Sequence, residues 1–409
     1  MGRLTALGYT CRHDPSDCQA PVAIINTCGF IGDAKEESIQ TILTFAERKA
    51  KGSLRQLYVM GCLSERYRTE LPNEIPEVDG WYGKFDYDGI VRAIARNRLC
   101  PDNAPRVLTT PAHYAYLKIS EGCNRFCSYC AIPLITGRYQ SVPMDRLLKE
   151  VQWMAAQGVK EVNVIAQDLT SYGMDLYHEH KLAQLIDRMA DIEGIRWIRL
   201  HYAYPTDFQN DVLEVMAKRD NVCKYLDIAL QHCSNHILSL MRRHITREQQ
   251  DALIAHIRDK VPNICLRTTL MVGHPGETED DFQELLTWTK QMRFDRMGAF
   301  AYSDEEGTYA HTHYQDNIPA EVKQQRLDEL MALQQEISAQ QMQKKIGQVL
   351  PVIIDRKEGD YLIGRTEQDS PDVDCEVLVK GTANIGDIIS VKITKAEEFD
   401  LYGLQLSSD

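Results

Sequence analysis

Three cysteines in the run Glu121-Gly-Cys-Asn-Arg-Phe-Cys-Ser-Tyr-Cys-Ala-Ile-Pro133 fall at Cys123, Cys127 and Cys130, a C-x3-C-x2-C spacing. A tight loop of this kind can aim three thiolates at three corners of an iron–sulfur cube, which leaves the fourth iron without a protein ligand. S-adenosylmethionine (SAM) can take that corner through its amino and carboxylate groups. One electron then cleaves its sulfonium and releases a deoxyadenosyl radical. A structural zinc site is the competing use of such thiolates, and it needs a fourth Cys or His nearby. Within ten residues on either side only His113 qualifies, and it precedes the strand that leads into the motif.

A second pair stands earlier. Cys28 follows the apolar run Ala23-Ile-Ile-Asn-Thr, and Cys62 follows Leu57-Tyr-Val-Met-Gly. Each ends a strand and opens a helix, so both belong on one edge of a parallel sheet, where helix N-termini favour thiolates. Two buried structural cysteines are the equal alternative from spacing alone. The other seven cysteines (Cys11, Cys18, Cys100, Cys223, Cys233, Cys265 and Cys375) have no ligand-like spacing and read as small buried hydrophobes.

These residues need elements to hold them. Up to about residue 100, strand runs 21–26 and 57–60 alternate with helical stretches 33–49 and 89–97, a small α/β unit, and Cys100–Pro105 reads as a linker. Six strand–helix units follow, with strands expected at 114–119, 161–165, 197–201, 225–230, 265–272 and 296–302. They predict an open or partial parallel (β/α)6 barrel whose chemistry gathers at the carboxyl ends of the strands. Gln167, Asp168, His201, Gln231 and His232 fall at those ends. They are candidates for holding SAM or substrate, with capping or core hydrogen bonding as the plainer role. After a Gln-rich helix at about 320–345, five short strands at 349–354, 361–365, 376–379, 388–393 and 401–406 predict a small five-stranded OB-like β-barrel.

The chain has 409 residues and net charge −13, with 44% hydrophobic residues. Two or three domains are expected. No apolar run approaches a membrane span and no signal peptide is evident, so the expected location is the cytoplasm. The excess negative charge disfavours broad phosphate contact. About half of it sits in residues 350–409, with 6 Lys/Arg against 13 Asp/Glu.

The cysteine spacing, Tyr129 before the last Cys and the six strand–helix units resemble the radical SAM superfamily. Asn26-Thr-Cys-Gly-Phe-Ile, Gly61-Cys-Leu-Ser-Glu-Arg-Tyr67, Gln167–Gly173, Arg199–Pro205, Tyr225–His232, Met241-Arg-Arg243, Gly273–Thr278 and Tyr302–Thr308 closely resemble the methylthiotransferases within it. The resemblance implies a methylthiotransferase N-terminal domain over 1–100, a radical SAM domain over 108–340 and a TRAM domain over 343–409. It also implies two 4Fe–4S clusters. Cys123, Cys127 and Cys130 hold the catalytic one, and Tyr129, Gln167, Asp168, His201 and Gln231 are candidate cofactor contacts. Cys28 and Cys62 serve the auxiliary one, which in the family takes three cysteines. The family's first cysteine closes an opening strand upstream of a helix that begins here at about Met1. A truncated start and a weakly held auxiliary cluster are therefore expected.

Family members modify either tRNA or a ribosomal protein. Tyr302–Thr308 and Gly364–Asp374 resemble the branch that modifies an aspartate of ribosomal protein uS12. The acidic run Gly364-Arg-Thr-Glu-Gln-Asp-Ser-Pro-Asp-Val-Asp374 reads as a face for a basic protein partner, with a solvated loop as the alternative. Expected partners are uS12 or the small ribosomal subunit and an electron donor such as flavodoxin or ferredoxin. The alternatives are a tRNA adenosine methylthiotransferase and a non-catalytic iron–sulfur factor that binds the ribosome. Arg242 and Arg243 read as a solvated helix face or as contacts to a substrate carboxylate.

Overall fold

The structure, a computed structural model, describes residues 1–15, 19–95 and 106–406. Cys18, Cys100 and the expected linker lie outside the described residues. The chain forms two compact units. Met1–Thr109 joins with Tyr129–Gly137 and Ser303–Thr312, while Thr110–Ser128, Arg138–Tyr302 and His313–Asp409 make the other.

The first unit is built on a parallel sheet of β1 (Val22–Thr27), β2 (Gln56–Gly61) and β3 (Gly80–Tyr82), in that order. Parallel strands covered on their faces read as unbroken apolar runs, and Leu57, Tyr58 and Val59 are all buried. The helix Gly32–Ala50 returns the chain between β1 and β2 and buries Ile42 and Ala46 against Leu57 and Val59. The sequence pattern did not register β3, since three residues carry too little periodicity.

The second unit holds six parallel strands that neighbour one another in chain order: β4 (Tyr114–Lys118), β5 (Glu161–Ile165), β6 (Trp197–Ala203), β7 (Val222–Gln231), β8 (Cys265–Val272) and β9 (Arg296–Ala301). Helices such as Met144–Ala156 and Arg247–Lys260 fill the connections. The same unit contains a closed barrel of β10 (Val349–Glu358), β11 (Tyr361–Thr366), β12 (Glu376–Lys380), β13 (Ile388–Ala396) and β14 (Asp400–Gln405). Val352, Ile354, Val377, Val391, Ile393 and Leu401 fill its interior, and Cys375 is buried with them.

Most of the acidic run is turned inward. The connection from β11 to β12 enters the amino ends of the parallel strands. There Asp369 pairs with Arg296, the first residue of β9, at 2.5 Å, and Asp374 meets Arg267 of β8 at 3.4 Å and accepts from the Tyr225 hydroxyl at 2.9 Å. Arg365 reaches Glu161, the first residue of β5, at 2.8 Å and Asp355 at 2.7 Å. Arg199, fully buried, holds Glu161 at 2.9 Å and donates to the Glu367 carbonyl at 2.6 Å. Charges inside a barrel are tolerated only when paired. Asp369 and Asp374 supply partners for arginines that the strands carry inward. The expected docking face is thereby narrowed: Asp369 and Ser370 are 1% and 2% exposed and plug the barrel's amino end, which leaves Asp372 as the exposed acid of the run.

Candidate functional site

The motif loop leaves β4 through a two-residue ribbon, Ser120–Glu121 paired with Gln140–Ser141. Within it Phe126 takes a left-handed φ of +49°. A bulky residue held there stores strain, as functional loops often do. The Arg125 N–H donates to the Cys123 sulfur at 3.5 Å, and the Arg243 guanidinium donates to the Cys127 sulfur at 3.4 Å. The Tyr204 hydroxyl lies 3.6 Å from the same sulfur. Burial pushes the Cys123 thiol up to about 11, so iron binding must displace its proton.

Ser128 fixes the far side of the loop. Its N–H donates to the Met241 carbonyl at 3.0 Å, and its hydroxyl meets His274 Nε2 at 3.1 Å. His274 is buried, and burial drops its pKa to about 4, so the ring is neutral. Its Nδ1 faces the Pro275 carbonyl at 3.0 Å. A carbonyl only accepts, so Nδ1 carries the proton and Nε2 accepts from Ser128. Cys130 and Tyr129 begin the segment that belongs to the first unit; Cys130 is partly buried.

Around the carboxyl ends, Arg125 donates to Asp168 at 2.8 Å, and Asp168 also accepts from Thr170 and Ser171. Gln167 donates to Glu121 at 2.6 Å. Gln231, at φ +72°, ends β7. The Oε1 atoms of Gln167 and Gln231 are buried and have no hydrogen-bond partner among the described residues. His201 does not join this group. Its Nε2 lies 3.2 Å from Asn163 Oδ1 and 3.4 Å from the hydroxyl of Ser370 on the plug. His232 is fully buried, with Nε2 3.7 Å from Glu277. His113 lies at the opposite end of β4 from the motif and is bonded to Asp355 at 2.7 Å, so it is not available as a fourth zinc ligand.

In the first unit, parallel register pairs Thr27 with Gly61, which sets Cys28 and Cys62 side by side just beyond the sheet edge. Gly29 is pressed so close that a Cβ there would sit 2.6 Å from the Leu63 nitrogen. Gly61 takes φ +112°, open to glycine alone. Arg66 ties the two loops, donating to the Gly29 carbonyl at 3.0 Å and to Glu305 at 2.9 Å. Lys35 also reaches Glu305, at 2.8 Å. Burial alone would raise the Glu305 pKa, but the bonds from Lys35, Arg66 and Ser303 hold it below the usual range. Glu305→Gln leaves two cations facing a neutral amide. Amide exchange over Gly29–Ser38 is expected to accelerate about 10-fold or more, by mass spectrometry, with smaller changes in the C-terminal barrel.

For the clusters that the motifs imply, the fit rests on the donor sets, because no three metal-type side chains are already gathered among the described residues. The Cys123 and Cys127 sulfurs receive N–H donors, the environment that stabilises thiolate ligands, and this set fits a cluster. Cys28 and Cys62 supply two thiolates at the sheet edge. Cys11 packs with Val22, Met60 and Tyr82, and no group of three metal-type side chains forms at the pair among the described residues.

Sequence reasoning passed over Arg125, Tyr204, Ser128, His274 and Glu305. Arg125 stood inside the motif. Arg243 was expected on a solvated face or at a substrate carboxylate; it is 2% exposed and faces a sulfur.

Residues 117–289 match the radical SAM superfamily, 346–405 the TRAM domain, and 1–83 a family described as uncharacterised protein family UPF0004. The chain is 58% identical to ribosomal protein uS12 methylthiotransferase RimO of Phocaeicola vulgatus over 98% of its length and 94% of that protein. It is 54% identical to the protein of the same name from Parabacteroides distasonis, over 100% and 95%. Among solved structures it is similar to the radical SAM methyltransferase TsrM from Kitasatospora setae, with TM-score 0.56 and 15% identity over 71% of this chain and 65% of that one. That last likeness concerns the fold.

Proposed function

The chain belongs to the ribosomal protein uS12 methylthiotransferase family, and from that membership we propose that it transfers a methylthio group to the β-carbon of an aspartate in uS12. The observation that carries this reading is identity above one half over 98% of the chain and 94% of the relative. The same reading divides the chain into domains at 1–100, 108–340 and 343–409.

Cys123, Cys127 and Cys130 would hold a 4Fe–4S cluster, which supplies the electron that splits SAM and so the radical needed for a C–H bond without usable acidity. The protein's own part is positional. Ser128, neutral His274 and the Arg125–Asp168 pair hold the loop. Gln167 and Gln231 offer buried acceptor oxygens to the donor groups of SAM, with Tyr129 alongside on the motif. Closely spaced, oriented groups spare the reaction the entropy of assembly. Cys28 and Cys62 would supply two thiolates to the auxiliary cluster at which a sulfur is methylated. A one-electron donor such as flavodoxin or ferredoxin and a cytoplasmic setting complete the reading. Among the described residues no helix is long and apolar enough to cross a membrane.

The test is anaerobically reconstituted protein with SAM, reductant and small ribosomal subunits, followed by mass spectrometry of uS12. One methylthio group on an aspartate is expected. Unmodified uS12 together with methylthiolated tRNA adenosine would overturn the substrate, and absence of any SAM cleavage would overturn the chemistry.

A further inference from the structure

Tyr204, 6% exposed, carries two guanidinium groups over its ring, Arg125 with Cζ 4.3 Å from the centroid and Arg243 with Cζ 4.1 Å. Its hydroxyl is 3.2 Å from the Arg243 carbonyl and 3.6 Å from the Cys127 sulfur. Once Cys127 is a thiolate, the sulfur and the carbonyl both accept, and a phenol with one proton cannot fully serve both. Arg243 has no such conflict: a guanidinium only donates. Its Nη1 points at the sulfur at 3.4 Å while its Nη2 is anchored on the Ala229 carbonyl. The Tyr204 face accounts for the arginine's placement. Arg125, the second cation over the ring, is held by Asp168 at 2.8 Å.

We propose that Arg243 is a positioning and redox-tuning residue for the cluster held in part by Cys127, with Tyr204 as the shelf that aims it. The proposal rests on the functional reading above. A cluster held there would gain one negative charge on taking up one electron from an external one-electron donor. A buried cation hydrogen-bonded to a ligand sulfur stabilises that reduced form more than the oxidised one. Net charge, hydrogen bonds to sulfur and burial are the levers that set such potentials. Tyr204→Phe removes the hydroxyl but keeps the ring, and so separates the two contributions.

The experiment uses the full chain with Cys28→Ala and Cys62→Ala as parent, so that only the motif cluster is present. Iron and sulfide are counted, and the potential is read by EPR-monitored titration for the parent and for Arg243→Lys, Arg243→Met and Tyr204→Phe. Arg243→Met is expected to keep its iron while the reduced-to-oxidised ratio at fixed poise falls about 10-fold, equal to about 59 mV for one electron. Arg243→Lys should recover part of the shift, and Tyr204→Phe should shift less than Arg243→Met. Unchanged potentials in both arginine variants at full iron content would overturn the proposal. If Arg243→Met loses its cluster, Arg243→Gln, which keeps a donor without the charge, takes its place: a parent-like potential at full iron content overturns the proposal. A parent that holds no iron defeats the functional reading itself, and this inference with it.

Discussion

Cys123→Ala is expected to abolish SAM cleavage and to remove the motif cluster, leaving iron only where Cys28 and Cys62 contribute. The sulfur of Cys123 is one of three ligands on a loop whose other contacts, Ser128 to His274 and Arg125 to Asp168, survive the change. The loss should therefore be chemical rather than a collapse of the fold. A reaction that depends wholly on the cluster should slow at least ~1,000-fold, about 4 kcal/mol of barrier. Single-turnover cleavage assays with an iron count on the same sample check it. His113→Ala is the matched control: because His113 is engaged by Asp355 at 2.7 Å, it should leave iron content at the motif unchanged. Loss of metal in that variant, with zinc rather than iron in the parent, would restore the zinc reading.

Arg365→Met is expected to destabilise the second unit by about 3–5 kcal/mol, the usual cost of stranding buried carboxylates. Arg365, 3% exposed, is bonded to both Glu161 and Asp355. Without it Glu161 keeps only Arg199, and Asp355 keeps only His113 among these partners. Denaturant unfolding followed by tryptophan emission reads the change. The same network predicts an acid limb. Burial would raise the carboxyl pKa values of Glu161, Asp355 and Asp369, but Arg365 and Arg199, His113 and Arg365, and Arg296 respectively hold them below their usual values. The unfolded chain therefore takes up protons first as pH drops through about 4. Stability present above that value is lost progressively toward the lower folded values. In Arg365→Met the limb should be shallower, since two of the three carboxyls lose their depression. An acid limb of equal slope in both proteins would count against this account.

The arginine network also bears on how partner choice is read from charge. Net acidity in the last sixty residues suggested a face for a basic protein. Several of those acids are spent on Arg267, Arg296 and Arg365 inside the unit. The substrate reading therefore stands on family membership rather than on a count of charges in a segment.

The sequence by itself determined the six strand–helix units, the five-stranded barrel and the cysteine loop. The reason is that periodic burial and ligand spacing are local properties, written in consecutive residues. The placement of Cys28 beside Cys62 was legible too, because a cysteine one step past each of two parallel strands must share an edge. Only the tertiary structure decided what the isolated charged residues do. Arg243 reads equally as a solvated residue or a substrate contact until the chain folds it against Cys127, more than a hundred positions away in sequence. Asp369 and Asp374 look like solvated acids until the amino ends of β8 and β9 present arginines to them. A charge is stabilised by its partner, and for these residues the partner is distant in the chain, so no window of neighbouring residues contains the answer.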